Sequence, residues 1–553
     1  MHTKRWHDSW TLGDLLLRAC ERDADALAIS FPDCRRTYSE LFEGSMQAAR
    51  SLAGLGVEAG AHVGILMPNC IDFVEVLLGA SLIGAVVVPI NARFKPRELA
   101  HVIADGDIEV LLTSDVIEEH ADYVALLHET VSGLEAAPEA LRLELPHLPR
   151  LRTVVLLGKR GAAGMLDREQ FAAQGEPVSE EEVDLRRSRV AMRQVALMMF
   201  TSGTTAMPKG CPLSHEALVR TAVIAGRTRF HMTSADRFWD PLPMFHMSAI
   251  LPLIGVIDAG AAMLTMTHFD ADVAMRVIEQ EQATILFSTF PAITQALLNH
   301  PLYHPGRFKH VRIVNNVAPS DALAAAQKAL GDAKLISAYG CTECAGVVCF
   351  NDPGETVEQR TTTCGPPFDG IEVEIRSLED GTPAAVGQRG EIVVRGYCLF
   401  EGYYKDPELT SQRIDEDGWF HTGDIGAVDA QGRVTYLGRL KDMLKVGGEN
   451  VAAVEIESML CTHPAVAIAV VVGVPDPKYM EVPAAFIELK PGAHASEEEI
   501  LEHSRRSIAS FKVPRHIRFV QEWPMSATKV QKFRLAEQLA AELQREREAA
   551  TAA

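Results

Sequence analysis

The sequence predicts an α/β protein, with a large N-terminal domain of layered α/β sheets that includes a small β-subdomain, followed by a small α+β C-terminal domain. Three observations carry this. Short β-branched runs alternate with longer helix-like stretches from about residue 10 to 435, the texture of parallel strands joined by crossover helices. Between about 365 and 437, Gly-rich turns separate short strands such as Gly390–Gly396 and Arg433–Leu437, as in an antiparallel sheet. After Gly438-Arg439-Leu440-Lys441 the helix–strand pattern restarts.

In chain order, the first strands are expected at His62–Met67, Ala85–Ile90, Glu109–Thr113 and Arg152–Leu157. The longest apolar run, Val76–Ile90, is interrupted by Gly79, Ser81, Gly84 and Pro89. It falls short of the roughly 20 residues needed to cross a bilayer. It reads as a packed helix running into a buried strand, so no membrane span is expected. Residues 129–150, polar with Pro and Leu interspersed, read as a surface excursion. The C-terminal unit should hold a helix near 452–461, strands Ala467–Val472 and Ala484–Leu489, a helix at 496–509 and a last strand Ile517–Val520. From Leu535 onward an Ala/Glu/Gln/Arg-rich tail is expected as an exposed, fraying helix.

The 553 residues are 47% apolar and 23% charged, which excludes a mostly disordered chain. Fifty-three basic against 74 acidic side chains give a net charge of −21, and such a surface repels phosphate backbones, disfavouring nucleic acid as a partner. Ten cysteines are too sparse for a disulfide scaffold, and no cleavable signal is expected from the opening residues. A reduced, cytoplasmic protein is expected. The Cys341-Thr-Glu-Cys344 spacing lacks the second half of a zinc site, so these cysteines read as packing.

The most informative stretch is Met198-Met-Phe-Thr201-Ser202-Gly203-Thr204-Thr205-Ala206-Met-Pro-Lys209-Gly-Cys-Pro. An apolar strand feeds a loop of hydroxyls and small residues that ends on a lysine. Small residues let backbone N–H groups approach an anion, hydroxyls donate to phosphate oxygens, and the lysine adds charge. It is not a Walker A loop: Pro208 replaces the second Gly, and Gly210 stands where the Mg²⁺-binding hydroxyl would be.

Thr-Ser-Gly-Thr-Thr-x-x-Pro-Lys-Gly resembles the signature loop of the adenylate-forming superfamily, which holds acyl-CoA synthetases, luciferases and peptide-synthetase adenylation domains. Five more segments resemble its motifs in family order: Pro241-Leu-Pro-Met-Phe-His246, Tyr339-Gly-Cys-Thr342-Glu343, Gly418-Trp-Phe-His-Thr-Gly-Asp424, Tyr436–Glu457 and Pro524-Met-Ser-Ala-Thr-Lys529-Val-Gln-Lys532. The resemblance covers about residues 10 to 535. It implies ATP and CoA as co-substrates, Mg²⁺ as cofactor and a hydrophobic carboxylic acid as substrate. Thr201, Ser202, Gly203, Thr204, Thr205 and Lys209 would then hold the phosphates. Tyr339 would stack on adenine, with Ala318 and Pro319 on the other side, and Asp424 and Arg439 would meet the ribose. Glu343 would bind Mg²⁺, with Thr342 and Thr201 nearby. Lys529 would bridge the carboxylate and α-phosphate, with Lys532 a solvated charge or secondary phosphate contact. His246, Met247, Ser248 and Ile250 would line the acyl pocket, and Gly447 and Gly448 the CoA tunnel. The resemblance divides the chain into an N-terminal domain, 1–438, a hinge at 439–441 centred on Lys441, and a mobile C-terminal domain, 442–553.

The apolar run Phe245-His246-Met247-Ser-Ala-Ile250-Leu lacks the Asp that amino-acid-activating members place there, and no carrier-domain serine motif follows. An acyl-CoA synthetase is therefore the expected member. An acyl-AMP ligase that loads a carrier protein and a luciferase-like enzyme are the alternatives, and a non-catalytic nucleotide binder is disfavoured. A homodimer is compatible with the sequence. Ala206 stands where the family usually has Gly, and the Gly before Lys529 is missing.

Overall fold

The computed structural model describes residues 10–201, 207–446, 449–476, 480–525 and 530–552. Two compact units emerge: Met1–Ala318 with Ala322–Val373 and Val394–Phe420, and Pro319–Asp321 with Glu374–Val393 and His421–Ala553.

The first unit is built on two sheets. One runs Thr153–Leu156, Ile108–Thr113, His62–Leu66, Val86–Pro89, Val195–Thr201, Lys209–Ser214, all parallel except the last pair. Its central strands are near-continuous apolar runs because both faces are covered: Val63, Ile65, Val87, Val88, Val110 and Leu111 have no exposed surface. The run Val76–Ile90 divides as expected into helix Ile71–Leu82 and strand Val86–Pro89. The other sheet runs Lys334–Ile336, Ile313–Asn316, Ile285–Thr289, Arg237–Trp239, Ala262–Leu264, Leu27–Ser30, Arg35–Thr37, again parallel except the last pair.

Parallel alignment gathers the carboxyl ends of the strands on one edge, where ligands bind in open α/β sheets. In the second sheet these ends carry Asp240, Thr265, Ser288, Asn315 and Asn316, all buried. Such a density of buried polar groups beside an apolar sheet must be offset by hydrogen bonds. Ser288 Oγ bonds Thr294 Oγ1 (2.6 Å) and the Asn315 carbonyl (3.1 Å), and Thr289 Oγ1 donates to Asn315 Oδ1 (2.8 Å).

Two expectations are corrected. The 129–150 segment is not only a surface excursion, because Leu134, Leu143, Leu145 and Leu148 are buried in the core of the first sheet. Its polar residues face outward while regularly returning leucines anchor it. The tail is likewise docked: in helix Lys532–Ala552, Leu535 and Leu539 pack under Val470, Val472 and Val474.

In the second unit, Val466–Asp476 and Met480–Leu489 pair antiparallel along their length, and His516–Phe519 adds in parallel. Helices Ala453–Cys461 and Glu497–Ser507 fall where the sequence places them. Strands Met443–Val446 and Glu449–Ala452, too short to read from the pattern, form a hairpin at the sheet edge. Strands Ile371–Arg376, Gly390–Gly396, Phe420–Val428 and Val434–Arg439 form a four-stranded sheet in that order.

Candidate active site

In the first unit, strands Val195–Thr201 and Lys209–Ser214 form the hairpin that carries the hydroxyl-rich loop. Their register sets Thr201 opposite Lys209, so a hydroxyl and an ammonium face each other at the mouth of the loop. Ser202, Gly203, Thr204, Thr205 and Ala206 lie outside the described residues. The exit of the loop is tied down by the His101 ring, 2.8 Å from the Pro208 carbonyl. Gly210 is dictated by close approach, since a Cβ there would lie 3.0 Å from Tyr404 Cβ and 3.1 Å from Met198 Sδ.

Tyr339 closes a two-residue strand paired with Cys349–Phe350, and its ring is buried. The chain then doubles back so tightly that a Cβ on Gly340 would sit 2.4 Å from Val347 Cα. This turn presents Thr342 and Glu343 on a single 3₁₀ turn, Thr342–Cys344, both half-buried. The Glu343 backbone is held by the Phe400 N–H (2.9 Å to the carbonyl), and its carboxylate by the Tyr403 hydroxyl (2.9 Å to Oε1). Burial, and then the adjacent Glu343 charge, push the Tyr403 phenol well above its ordinary pKa, so it stays protonated and donates. The Tyr403 ring also lies 5.9 Å from Lys209 Nζ, which is itself 3.9 Å from the Asp406 carboxylate. One tyrosine therefore hydrogen-bonds the carboxylate of the Tyr339–Glu343 motif and lies within cation–π range of the loop lysine. Sequence reading missed it; its signal is the doubled Tyr403-Tyr404 after Gly402.

For a divalent cation the donor set fits Mg²⁺: a hard carboxylate oxygen positioned by a hydrogen bond, next to a hydroxyl in the chain. Mg²⁺ is commonly held by one or two carboxylates and substrate phosphates rather than by an all-protein cage. Cysteine chemistry does not compete here. Cys341 and Cys344 form no disulfide; the Cys341 thiol donates to the Cys344 sulfur (3.5 Å). Burial pushes the Cys344 thiol well up, so it packs as a neutral group.

The Pro241–His246 segment is shaped from outside its own motif. Asn69, buried after strand His62–Leu66, donates from Nδ2 to the Leu242 carbonyl (2.8 Å) and the Met266 carbonyl (3.2 Å). Its Oδ1 accepts from the Met244 N–H (2.7 Å). Asp240 turns the chain by accepting the Leu242 N–H (2.8 Å), and burial holds its carboxyl well above the usual range. His246 then precedes helix Met247–Ala259, on which Met247 and Ile250 are buried and Ser248 half-buried. A Cβ on Gly346 would lie 3.0 Å from Met247 Cβ, so this motif and the Glu343 turn are in contact.

Asn69 gives a first test. Asn69→Ala strips three backbone groups of their partner, at about 1–3 kcal/mol for each that stays unsatisfied. Calorimetry should show a melting temperature lowered by several degrees, and the KM for the acid should rise. Wild-type values for both would contradict this role.

In the second unit, Asp424 and Arg439 face each other across paired strands, Nε to Oδ1 3.2 Å, with Asp424 only 4% exposed. Glu391 braces the approach: one oxygen accepts the Gly423 N–H (3.0 Å) and the other meets His421 Nδ1 (2.9 Å). The sequence showed Glu391 only as a charge inside an apolar strand. Lys441 lies on the 3₁₀ turn Leu440–Asp442. Gly447, Gly448 and Lys529 lie outside the described residues. Lys532, part-exposed, pairs with Glu457 (Nζ 2.7 Å away), which also accepts the Val471 N–H (2.7 Å). Ala318 and Pro319, both half-buried, lie between strand Ile313–Asn316 and helix Ser320–Leu330, Ala318 in the first unit and Pro319 in the second.

Among the described residues no helix is long and apolar enough to cross a membrane. A family model described as AMP-binding enzyme matches residues 16–404, and one described as AMP-binding enzyme C-terminal domain matches 455–529. The chain is 33% identical to YngI of Bacillus subtilis (strain 168), over 95% of this chain and 96% of that protein. It is 30% identical to the mitochondrial medium-chain acyl-CoA ligase ACSF2 of Rattus norvegicus, over 97% and 89%. Among solved structures, the anthranilate CoA ligase AuaEII in complex with anthranoyl-AMP superposes with a TM-score of 0.83 at 28% identity, covering 98% of this chain and 100% of that one.

Proposed function

The chain belongs to the AMP-binding enzyme family, as an AMP-forming acid–CoA ligase, and from that premise we propose that it activates a hydrophobic carboxylic acid in two half-reactions. In the first, a carboxylate oxygen attacks the α-phosphorus of ATP, giving acyl-AMP and pyrophosphate. In the second, the CoA thiol, losing its proton, attacks the acyl carbon, giving the thioester and AMP.

The observation that carries this reading is Tyr403 joining Glu343 to Lys209. Bringing a carboxylate to a triphosphate sets two anions against each other, so the barrier is chiefly electrostatic and fixed cations lower it. Lys209, with the Thr201–Thr205 loop, would hold the phosphates. Glu343, with Thr342 and Thr201, would hold Mg²⁺, which when bound neutralises charge on the triphosphate. Lys529 would neutralise the incoming carboxylate and the α-phosphate. Tyr339, Ala318 and Pro319 would receive adenine, and Asp424 would accept hydrogen bonds from the ribose hydroxyls beside Arg439. His246, Met247, Ser248 and Ile250 would line the acid. Gly447 and Gly448 would leave room for the thiol, the domain beyond Lys441 turning between the two steps.

The relatives' names support an acyl substrate, and the apolar wall of Met247 and Ile250 supports a hydrocarbon one. The test is a panel of acids supplied with ATP and Mg²⁺, with CoA present or omitted. Apolar acids should give pyrophosphate in both arms and a thioester only with CoA. Turnover confined to polar acids would overturn the hydrophobic assignment, and adenylate that CoA cannot discharge would move the acceptor to a carrier protein.

A further inference from the structure

Residues 400–406 run as a strap beside the edge strand Lys209–Ser214, within the first unit. The Glu401 N–H bonds the Pro212 carbonyl (3.1 Å) and the Tyr404 N–H bonds the Gly210 carbonyl (2.9 Å). The same stretch supplies the Phe400 N–H to the Glu343 carbonyl and the Tyr403 hydroxyl to the Glu343 carboxylate, and it brings Asp406 toward Lys209. One short piece of chain thus reaches the lysine of the phosphate loop and the carboxylate proposed for Mg²⁺.

What pins the strap lies outside every motif. The Tyr404 hydroxyl donates to Asp107 Oδ2 (2.8 Å), on the turn between helix Pro96–Asp105 and strand Ile108–Thr113. Lys405 Nζ reaches the same oxygen (2.9 Å) and the Asp105 carbonyl (2.9 Å). The His62 ring meets the Tyr404 ring edge-on, centroids 5.4 Å apart, and its Nδ1 lies 2.6 Å from the Gly106 carbonyl. Partial burial would raise the Asp107 carboxyl, but hydrogen bonds from Lys405 and Tyr404 bring it below its ordinary value. Asp107 and Lys405 both adopt the left-handed backbone, at φ 45° and 57°. Residues with side chains are uncommon there and persist only where their surroundings over-determine them. Both partners of this ion pair are held in strained turns, which marks a clamp rather than a casual surface contact.

We infer that Asp107 and Tyr404 are positioning residues for the adenylation step: they anchor the strap so that Tyr403 stays on Glu343 and beside Lys209. The inference rests on the reading above that Lys209 and Glu343 hold the triphosphate and its Mg²⁺. Tyr404 is fixed through its backbone to Gly210 and through its hydroxyl to Asp107, which leaves the neighbouring Tyr403 little freedom. The Glu343 carboxylate is then aligned before MgATP arrives, and electrostatic groups act most strongly when they need no reorganisation. With the clamp released, Tyr403 drifts, and the loss falls on MgATP rather than on the acid or CoA.

The experiment takes the acid that turns over fastest in the panel above, and its acyl-AMP. It measures pyrophosphate release against MgATP and against acid, and thioester formation from supplied acyl-AMP. It uses the full-length wild type, Tyr404→Phe, Asp107→Ala, Asp107→Asn, Tyr403→Phe and Tyr403→Phe/Tyr404→Phe. Tyr404→Phe removes one oxygen and keeps the ring against His62; it should raise the KM for MgATP about fivefold, the scale of one hydrogen bond. Asp107→Ala should do at least as much, and Tyr404→Phe remains informative if Asp107→Ala does not fold. Asp107→Asn, whose amide oxygen still accepts the Tyr404 hydroxyl, should recover most of the loss. The KM for the acid and the rate from supplied acyl-AMP should stay near wild type, which general damage to the fold would not spare. In the Tyr403→Phe background Tyr404→Phe should add little, because residues that act through one another are not additive. A wild-type KM for MgATP in both Tyr404→Phe and Asp107→Ala would overturn the inference and leave the two-step reading intact. So would a loss shared equally by both half-reactions, or one that persists in full without the Tyr403 hydroxyl. A wild type that releases no pyrophosphate with any acid of the panel would overturn that reading, and this inference with it.

Discussion

Glu343→Gln is expected to lower acid-dependent pyrophosphate release by at least ~100-fold, the scale of losing one fixed electrostatic contact to a transition state. The substitution keeps the shape of the side chain, and the amide oxygen still accepts the Tyr403 hydroxyl that now bonds Oε1 at 2.9 Å. The Phe400–Glu343 backbone bond is untouched, so the 3₁₀ turn should hold its form and the melting temperature should stay near that of the wild type. What is lost is the negative charge that would hold Mg²⁺. Raising Mg²⁺ should therefore recover part of the activity. A wild-type rate at ordinary Mg²⁺ would remove Glu343 from the metal site.

The second large effect separates the two half-reactions. Lys529 and Gly448 both fall in the proposed C-terminal domain, and the family resemblance assigns them to opposite steps. Lys529→Ala should reduce acyl-AMP formation by at least ~100-fold through loss of a fixed cation, while thioester formation from supplied acyl-AMP continues. Gly448→Trp should do the reverse, because bulk in the thiol path leaves the triphosphate untouched. Each variant is the folding control for the other. Loss of the same step in both would contradict a C-terminal domain that serves the two steps in turn.

Much of the architecture was legible because its signals are local. Apolar runs bounded by turns located the buried strands, and helices 453–461 and 497–507 followed from their spacing. The motifs offered candidate groups for the same reason: loops that approach phosphate or metal need particular residues at fixed offsets. What escaped was set by partners distant in sequence. Asn69 carries no motif, yet it shapes a loop more than 170 residues away. Tyr403 reaches Glu343 across 60 residues, and its role is invisible until that turn is beside it. The docked tail was misjudged from composition, although Leu535 and Leu539 stand one helical turn apart and give a narrow apolar stripe. The Lys532–Glu457 ion pair is hidden for a related reason, since nothing beside Lys532 in the sequence points to Glu457.

The central claim is that the acid's own oxygen attacks the α-phosphorus of ATP. The most direct measurement supplies the acid labelled with ¹⁸O in its carboxylate, together with ATP, Mg²⁺ and CoA, and weighs the products by mass spectrometry. If acyl-AMP lies on the path, one labelled oxygen crosses into AMP when CoA displaces the adenylate, and the pyrophosphate carries none. Unlabelled AMP, with the label in pyrophosphate or orthophosphate instead, would place the attack at another phosphorus and contradict the account.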